Sequence, residues 1–224
     1  MPDLAERDSY EKRLLKAMRE VFASAYKVLS QGLAAVNAAI KKALKKYAGP
    51  ILEEIQRRAV IFLLLFLQDD DYVSSRVGES GKSWESIKRN ASKKAKQSAN
   101  DQLDRLGDQI ADTNEGIFDE WDEESEESFE DFATRRLFPD SRSGNVAITE
   151  TTGAVGDGEY RVKDALAEIG IEITAVWVTA NDDRVCPICG PMHLKPESQW
   201  ADEFPNGPPI HPRCRCYLNW YPVQ

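Results

Sequence analysis

Ile171-Glu172-Ile173-Thr174-Ala175-Val176-Trp177-Val178-Thr179 leads through Ala180-Asn181-Asp182-Asp183-Arg184-Val185 into Cys186-Pro187-Ile188-Cys189-Gly190. The first nine residues alternate in polarity and are rich in β-branched side chains, the strongest strand signal in the chain. The Cys-x2-Cys pair after it presents two thiolates to one ion, and Gly190 allows the tight backbone turn of such a knuckle. Farther on, His211-Pro212-Arg213-Cys214-Arg215-Cys216 supplies a second cluster of donors. Cys186, Cys189, His211, Cys214 and Cys216 thus compete for the four corners of a tetrahedral zinc. The expected set is Cys186, Cys189 and His211, with Cys214 or Cys216 fourth. Four protein ligands leave no corner for water, so the expected Zn2+ is structural. The intervening chain, with Pro191, Pro196, Pro205, Pro208 and Pro209, is too irregular to build its own core. A metal closing it would contribute on the order of 10 kcal/mol of apparent binding free energy towards order.

Other chemistry fits poorly. A strand followed by Cys-Pro-Ile-Cys also suits a thioredoxin-like redox site, but only 35 residues follow Cys189, too few for the rest of that fold. His193, alone in a loop, reads as a hydrogen-bonding residue and not as a ligand or base. No Ser-His-Asp pattern, phosphate-binding glycine loop or spaced carboxylate pair stands out, so no catalytic residues are assigned and the chain is not expected to be an enzyme.

Upstream of the strand the chain reads as helical. Residues 4–48 hold no proline and place Leu14, Leu15, Met18, Val21, Phe22, Tyr26, Val28 and Leu29 at mostly helical spacing, with a break expected near Gly32 and an end at Gly49-Pro50. A second helix is expected from Pro50 to Leu67, apolar almost all round, which requires burial in the core or against a neighbour. Residues 72–83 read as a loop, Ser83 as an N-cap, and 84 to about 132 as one or two helices. Pro139 to Gly144 reads as a linker and 145–170 as another helix, loosened at Gly156 and Gly158. The longest apolar run, Ala59–Leu67, is about half of the roughly 20 residues a bilayer span needs, so no membrane helix is expected.

With 224 residues the chain is long enough for one large or two modest domains. Its net charge of -9 argues against general attraction to nucleic acid. Basic clusters at Lys41, Lys42, Lys45 and Lys46 and at Lys88, Arg89, Lys93, Lys94 and Lys96 read chiefly as solvated helix faces, with phosphate contact as the rival. Residues 115–131 carry 10 acids and no base, read as a solvated helix face or mobile segment, with a docking strip for a basic partner as the rival. All four cysteines lie within 186–216, and no apolar leader opens the chain. That crowding favours metal ligation in a reducing compartment over a disulfide framework.

Three segments carry a family likeness. Ala147-Ile148-Thr149-Glu150-Thr151-Thr152, then Trp177-Val178-Thr179-Ala180 with Asp182-Asp183-Arg184-Val185-Cys186-Pro187-Ile188-Cys189, then Pro208-Pro209-Ile210-His211-Pro212-Arg213-Cys214-Arg215-Cys216 resemble the phage head morphogenesis family, the Mu protein F-like minor capsid proteins, over about residues 145–218. Ile148 departs from the arginine usual there, and Met192-His193-Leu194 from a common His-Gly pair. The resemblance implies a minor head protein present in few copies. It implies a place at the portal vertex in the capsid interior, after assembly in the host cytoplasm, where the protein aids procapsid assembly and DNA packaging or ejection. Some relatives carry an added toxin-like enzyme domain; none is expected here.

The fold expected is α+β: a long, mainly α-helical N-terminal region (1–138) for portal or self-association, then a small α+β zinc-binding module (145–224). Expected partners are the portal protein and other capsid components, a second copy through helix 51–67, and packaged DNA. The rival functions are a zinc-dependent phage nuclease and a zinc-containing DNA-binding protein using Arg213 and Arg215.

Overall fold

Gly49-Pro50 does not end a helix. In the computed structural model, which describes residues 4–121, 126–180, 182 and 184–223, helix α2 (Leu33–Ala43) passes through a π turn at Leu44–Ala48 directly into α3 (Gly49–Gln68). The Gly49 amide donates to the Leu44 carbonyl, five residues back. Pro50 has no N–H and its ring crowds the carbonyl four residues earlier; widening the turn by one residue absorbs both defects. The break near Gly32 is present: α1 (Leu4–Tyr26) ends in a short 3-10 turn, and Gly32 sits at φ 91° before α2.

Two stretches expected as loops are helical. Asp70 caps α4 (Asp71–Glu79) by accepting from the Val73 amide at 3.0 Å, and the helix buries Val73 and Val77. Ser83 caps α5 (Trp84–Phe118) as expected, accepting from the Ser86 amide at 3.2 Å. After α6 (Phe129–Arg136), Pro139 stands at the N-cap of α7 (Asp140–Ala167), so the expected linker forms that helix's first turn. Proline is suited there because the first amides of a helix have no intrahelical partner. Strand β1 (Ile173–Val178) pairs antiparallel with β2 (Tyr217–Pro222), running from Ile173 opposite Pro222 to Val178 opposite Tyr217.

Helices α3, α5 and α7 pack on one another, and α1 lies along α7. One core gathers Leu14, Met18, Val21, Ile40, Leu44, Leu52, Ile55 and Leu106 with Leu137 and Ala154. The other joins Val60, Leu63, Leu64 and Leu67 to Ile87, Val162, Leu166, Trp177, Trp200, Trp220 and three cysteines. Helix α7, the first part of the region expected as a separate module, contributes to both. Gly158 does not loosen it. A β-carbon there would lie 2.5 Å from the Gln56 carbonyl oxygen and 2.9 Å from Ala59 Cβ, so the bare backbone is what lets α7 touch α3. A buried polar chain crosses the same layers: Gln56 Nε2 donates to Gln102 Oε1 at 3.0 Å, and Gln102 Nε2 to Glu150 Oε2 at 2.8 Å.

The basic clusters are largely matched within the protein. Lys41 and Lys45 meet Asp108 and Asp104 at 2.6 and 3.2 Å, Lys94 meets Glu168 at 2.5 Å, and Lys96 meets Glu53 at 3.3 Å. The acidic stretch is held where it is described: Glu120 and Glu127 pair with Arg136 and Arg135, and Trp121 packs between Phe129 and Phe132. Its residues 122–125 lie outside the described residues. Helix α3 is less enclosed than its composition suggests. Leu63, Leu64 and Leu67 are buried, whereas Phe62, Leu65 and Phe66 are 38%, 57% and 55% exposed.

Candidate metal centre

Strand β1 and the loop beyond it deliver the knuckle. The Gly190 amide donates to the Cys186 carbonyl at 2.9 Å, and the Cys189 amide to Cys186 Sγ at 3.2 Å, closing the tight turn read from the spacing. The second turn arrives just before β2, where the Cys214 amide donates to the His211 carbonyl at 3.2 Å and Arg213 adopts φ 62°. These turns meet. His211 Nε2 lies 3.1 Å from Cys186 Sγ and 3.2 Å from Cys189 Sγ, and Cys189 Sγ lies 3.9 Å from Cys214 Sγ. Two triads result, Cys186-Cys189-His211 and Cys189-Cys214-Cys216, each with donor atoms within 4.8 Å of one another and both sharing Cys189.

The donor set suits a metal. Around a tetrahedral zinc with ordinary bond lengths, sulfurs stand about 3.8 Å apart and a sulfur and nitrogen about 3.6 Å apart. The Cys189–Cys214 separation matches the first figure, and the histidine contacts fall slightly inside the second. His211 is also oriented for ligation: its Nδ1 is 2.8 Å from the Pro212 carbonyl, which can only accept. The proton therefore sits on Nδ1, and the Nε2 lone pair faces the sulfurs.

The thiols titrate as a group. Cys214 is drawn down to about 5, chiefly by a hydrogen bond from Cys216, against the opposing effect of burial. Cys216, which supplies that hydrogen, is raised. Burial and the nearby Cys214 charge push Cys189 up to about 12. Burial also opposes ionisation of Cys186, but the Cys189 and Ile188 amides and His211 outweigh it and lower its pKa. Burial would lower His211, yet its bond to the Pro212 carbonyl and the adjacent sulfurs raise it. Sulfurs this close cannot all ionise beside one another without a cation, and a divalent ion removes that conflict.

Residues outside the cluster hold the turns in place. Thr149 Oγ1 accepts from the Arg213 amide at 2.8 Å, and Thr152 Oγ1 lies 2.7 Å from the Cys214 carbonyl. Arg7 of α1 donates to Thr152 Oγ1 at 2.5 Å and to the Arg215 carbonyl at 3.2 Å. Arg215 in turn makes a two-pronged contact with Asp182 at 2.7 and 2.8 Å, which holds the Asp182 carboxyl below its usual range. Of the two arginines offered as DNA contacts, Arg215 is therefore engaged internally and Arg213 is exposed. His193 Nδ1 accepts from the Thr179 amide at 3.2 Å and belongs to neither triad, a hydrogen-bonding role as expected. The parts played by Thr149 and Thr152 had one sequence signal, their i, i+3 spacing on the Thr-Glu-Thr-Thr helix. Arg7 had none.

A family model described as phage Mu protein F like protein matches residues 80–219. No curated protein and no solved structure matches the chain. The matched region begins at α5, well upstream of the segments whose likeness is visible by eye, and takes in α6, α7, β1 and the whole Cys/His cluster. That span is more than half of the sequence, and its helices and strands contribute to both cores. The chain belongs to the phage Mu protein F like family.

Proposed function

We propose that this protein is a minor component of a phage head, bound at the portal vertex on the inner side of the capsid, where it serves procapsid assembly and the packaging or ejection of DNA. The observation that carries the reading is the family match over residues 80–219, which supports a head morphogenesis role and contact with other capsid components. The role is structural and not enzymatic, in keeping with that family. Among the described residues, no helix is long and apolar enough to cross a membrane. Contact with packaged DNA falls to the exposed Arg213.

Within this function the Cys/His cluster is a structural zinc centre held by Cys186, Cys189, His211 and Cys214, with Cys216 hydrogen-bonded to Cys214. The 3.9 Å approach of Cys214 to Cys189 supports this choice of fourth ligand. When bound, zinc would lock the two turns together; Thr149, Thr152 and Arg7 already hold the second turn against α7 and α1. Elemental analysis of the purified chain should give one zinc per chain, lost with Cys189→Ser and kept with Cys216→Ser.

Co-expression with the portal protein of the same phage tests the functional reading. The chain should co-purify with portal and appear in procapsids at a few copies. Procapsids that assemble with portal but never contain this chain would overturn the placement.

A further inference from the structure

Helix α3 carries a surface stripe that its own fold does not cover. Arg57, Arg58, Phe62, Leu65, Phe66 and Asp69 are exposed and Ile61 half-buried, while the opposite side, Leu52, Ile55, Ala59, Val60, Leu63 and Leu67, fills the core. The stripe advances in steps of four residues, the ridge by which helices interdigitate. Its order is informative: two arginines at one end, four apolar residues in the middle, and Asp69, the residue that ends the helix, at the other. None of Arg57, Arg58 and Asp69 is in an ion pair with another described residue.

We infer that this stripe is a self-complementary interface, in which α3 packs antiparallel against α3 of a second copy about a twofold axis between Leu63 and Leu64. One register brings the centre of the pattern together. Arg58 faces the partner's Asp69, and Phe62 faces the partner's Leu65. Ile61 and Phe66 flank this seam on its two sides. Twofold symmetry makes each contact twice, as an isologous interface requires. The charges lie about 17 Å apart along the helix, so a parallel pairing would set arginine against arginine and aspartate against aspartate. A stripe meant for an unrelated partner has no reason to read the same in both directions with the charge sign reversed. The inference rests on the surface of α3 alone and stands apart from the portal reading.

Sedimentation equilibrium of the full-length chain tests it. The wild type should dimerise, with the association weakening as salt rises. Arg58→Asp and Asp69→Arg, both at exposed positions, should each weaken self-association by roughly tenfold. Because the partners of those two positions are each other, an equimolar mixture of the two variants should restore dimerisation as heterodimers, and so should the double variant alone. Leu65→Glu should leave a folded monomer, with folding checked by circular dichroism. A wild type that stays monomeric, or a dimer indifferent to both charge reversals, overturns the proposal. So does a pair of weakened variants that fail to rescue one another.

Discussion

Replacing Gly158 by alanine isolates the contact on which the helical body depends. In an unobstructed helix, glycine to alanine stabilises by roughly 0.5–1 kcal/mol through reduced backbone entropy. At position 158 the added methyl would lie 2.5 Å from the Gln56 carbonyl oxygen and 2.9 Å from Ala59 Cβ. Relief requires α7 and α3 to part by close to an ångström. Neither obstacle can rotate away, since one is backbone and the other a β-carbon. Overpacking of this kind costs about 1–3 kcal/mol, which exceeds the propensity gain. Gly116 of α5 is the matched control, because a β-carbon there meets nothing within 4 Å. Urea denaturation should therefore show Gly116→Ala with a midpoint at or above that of the wild type, and Gly158→Ala clearly below it with a similar slope. A Gly158→Ala variant as stable as Gly116→Ala would refute the account of the α3–α7 crossing.

Thr152→Val removes the hydroxyl that joins the Cys214 carbonyl to Arg7; zinc affinity, measured by competition with a chromogenic chelator, should fall about 10–100-fold while helix content is kept. Removing the metal with a strong chelator should shift the fluorescence of Trp177 and Trp200, which meet edge to face with ring centres 5.4 Å apart beside the cysteines, and leave far-ultraviolet dichroism dominated by the helices. Glu159 accepts from the Trp220 indole at 3.0 Å, and burial pushes its carboxyl up to about 7 from an ordinary 4.5. The folded state thus holds a proton that the unfolded chain releases, so this group's stabilisation is fully present below about 4.5 and is lost as pH rises through about 7. Glu159→Gln should flatten that part of the stability profile and be the more stable protein at pH 8; an unchanged slope across the interval would refute the assignment.

Much of this architecture was legible where a local signal agreed with the tertiary outcome. The alternation from Ile171 to Thr179 gave β1, Ser83 its helix start and Gly32 its break, because each depends on a few neighbouring residues. The knuckle spacing likewise anticipated that Cys186, Cys189 and His211 meet. Residues 217–222 gave no comparable sign of a strand: they pair because the Cys/His turns return the chain beside β1. Pro50 and Pro139 misled in opposite ways, one absorbed by a π turn and the other serving as a cap. Glycines at 156 and 158 read as weakness in a lone helix and proved to be the price of close packing. The fourth ligand stayed open in the sequence because Cys214 and Cys216 are equally near in the chain, and only the fold sets their distances from Cys189.

The bond from Arg7 to the Arg215 carbonyl spans a separation of 208 residues. During synthesis the guanidinium therefore leaves the ribosome 208 residues ahead of this acceptor. Helix α1 can dock on α7 and meet Thr152 before then, but the bond to the second Cys/His turn closes only after Arg215 has emerged, and chains cut short before it never gain that acceptor. The clasp thus ties one of the earliest described helices to a turn made much later, so the metal-binding turns settle onto a body that is already folded.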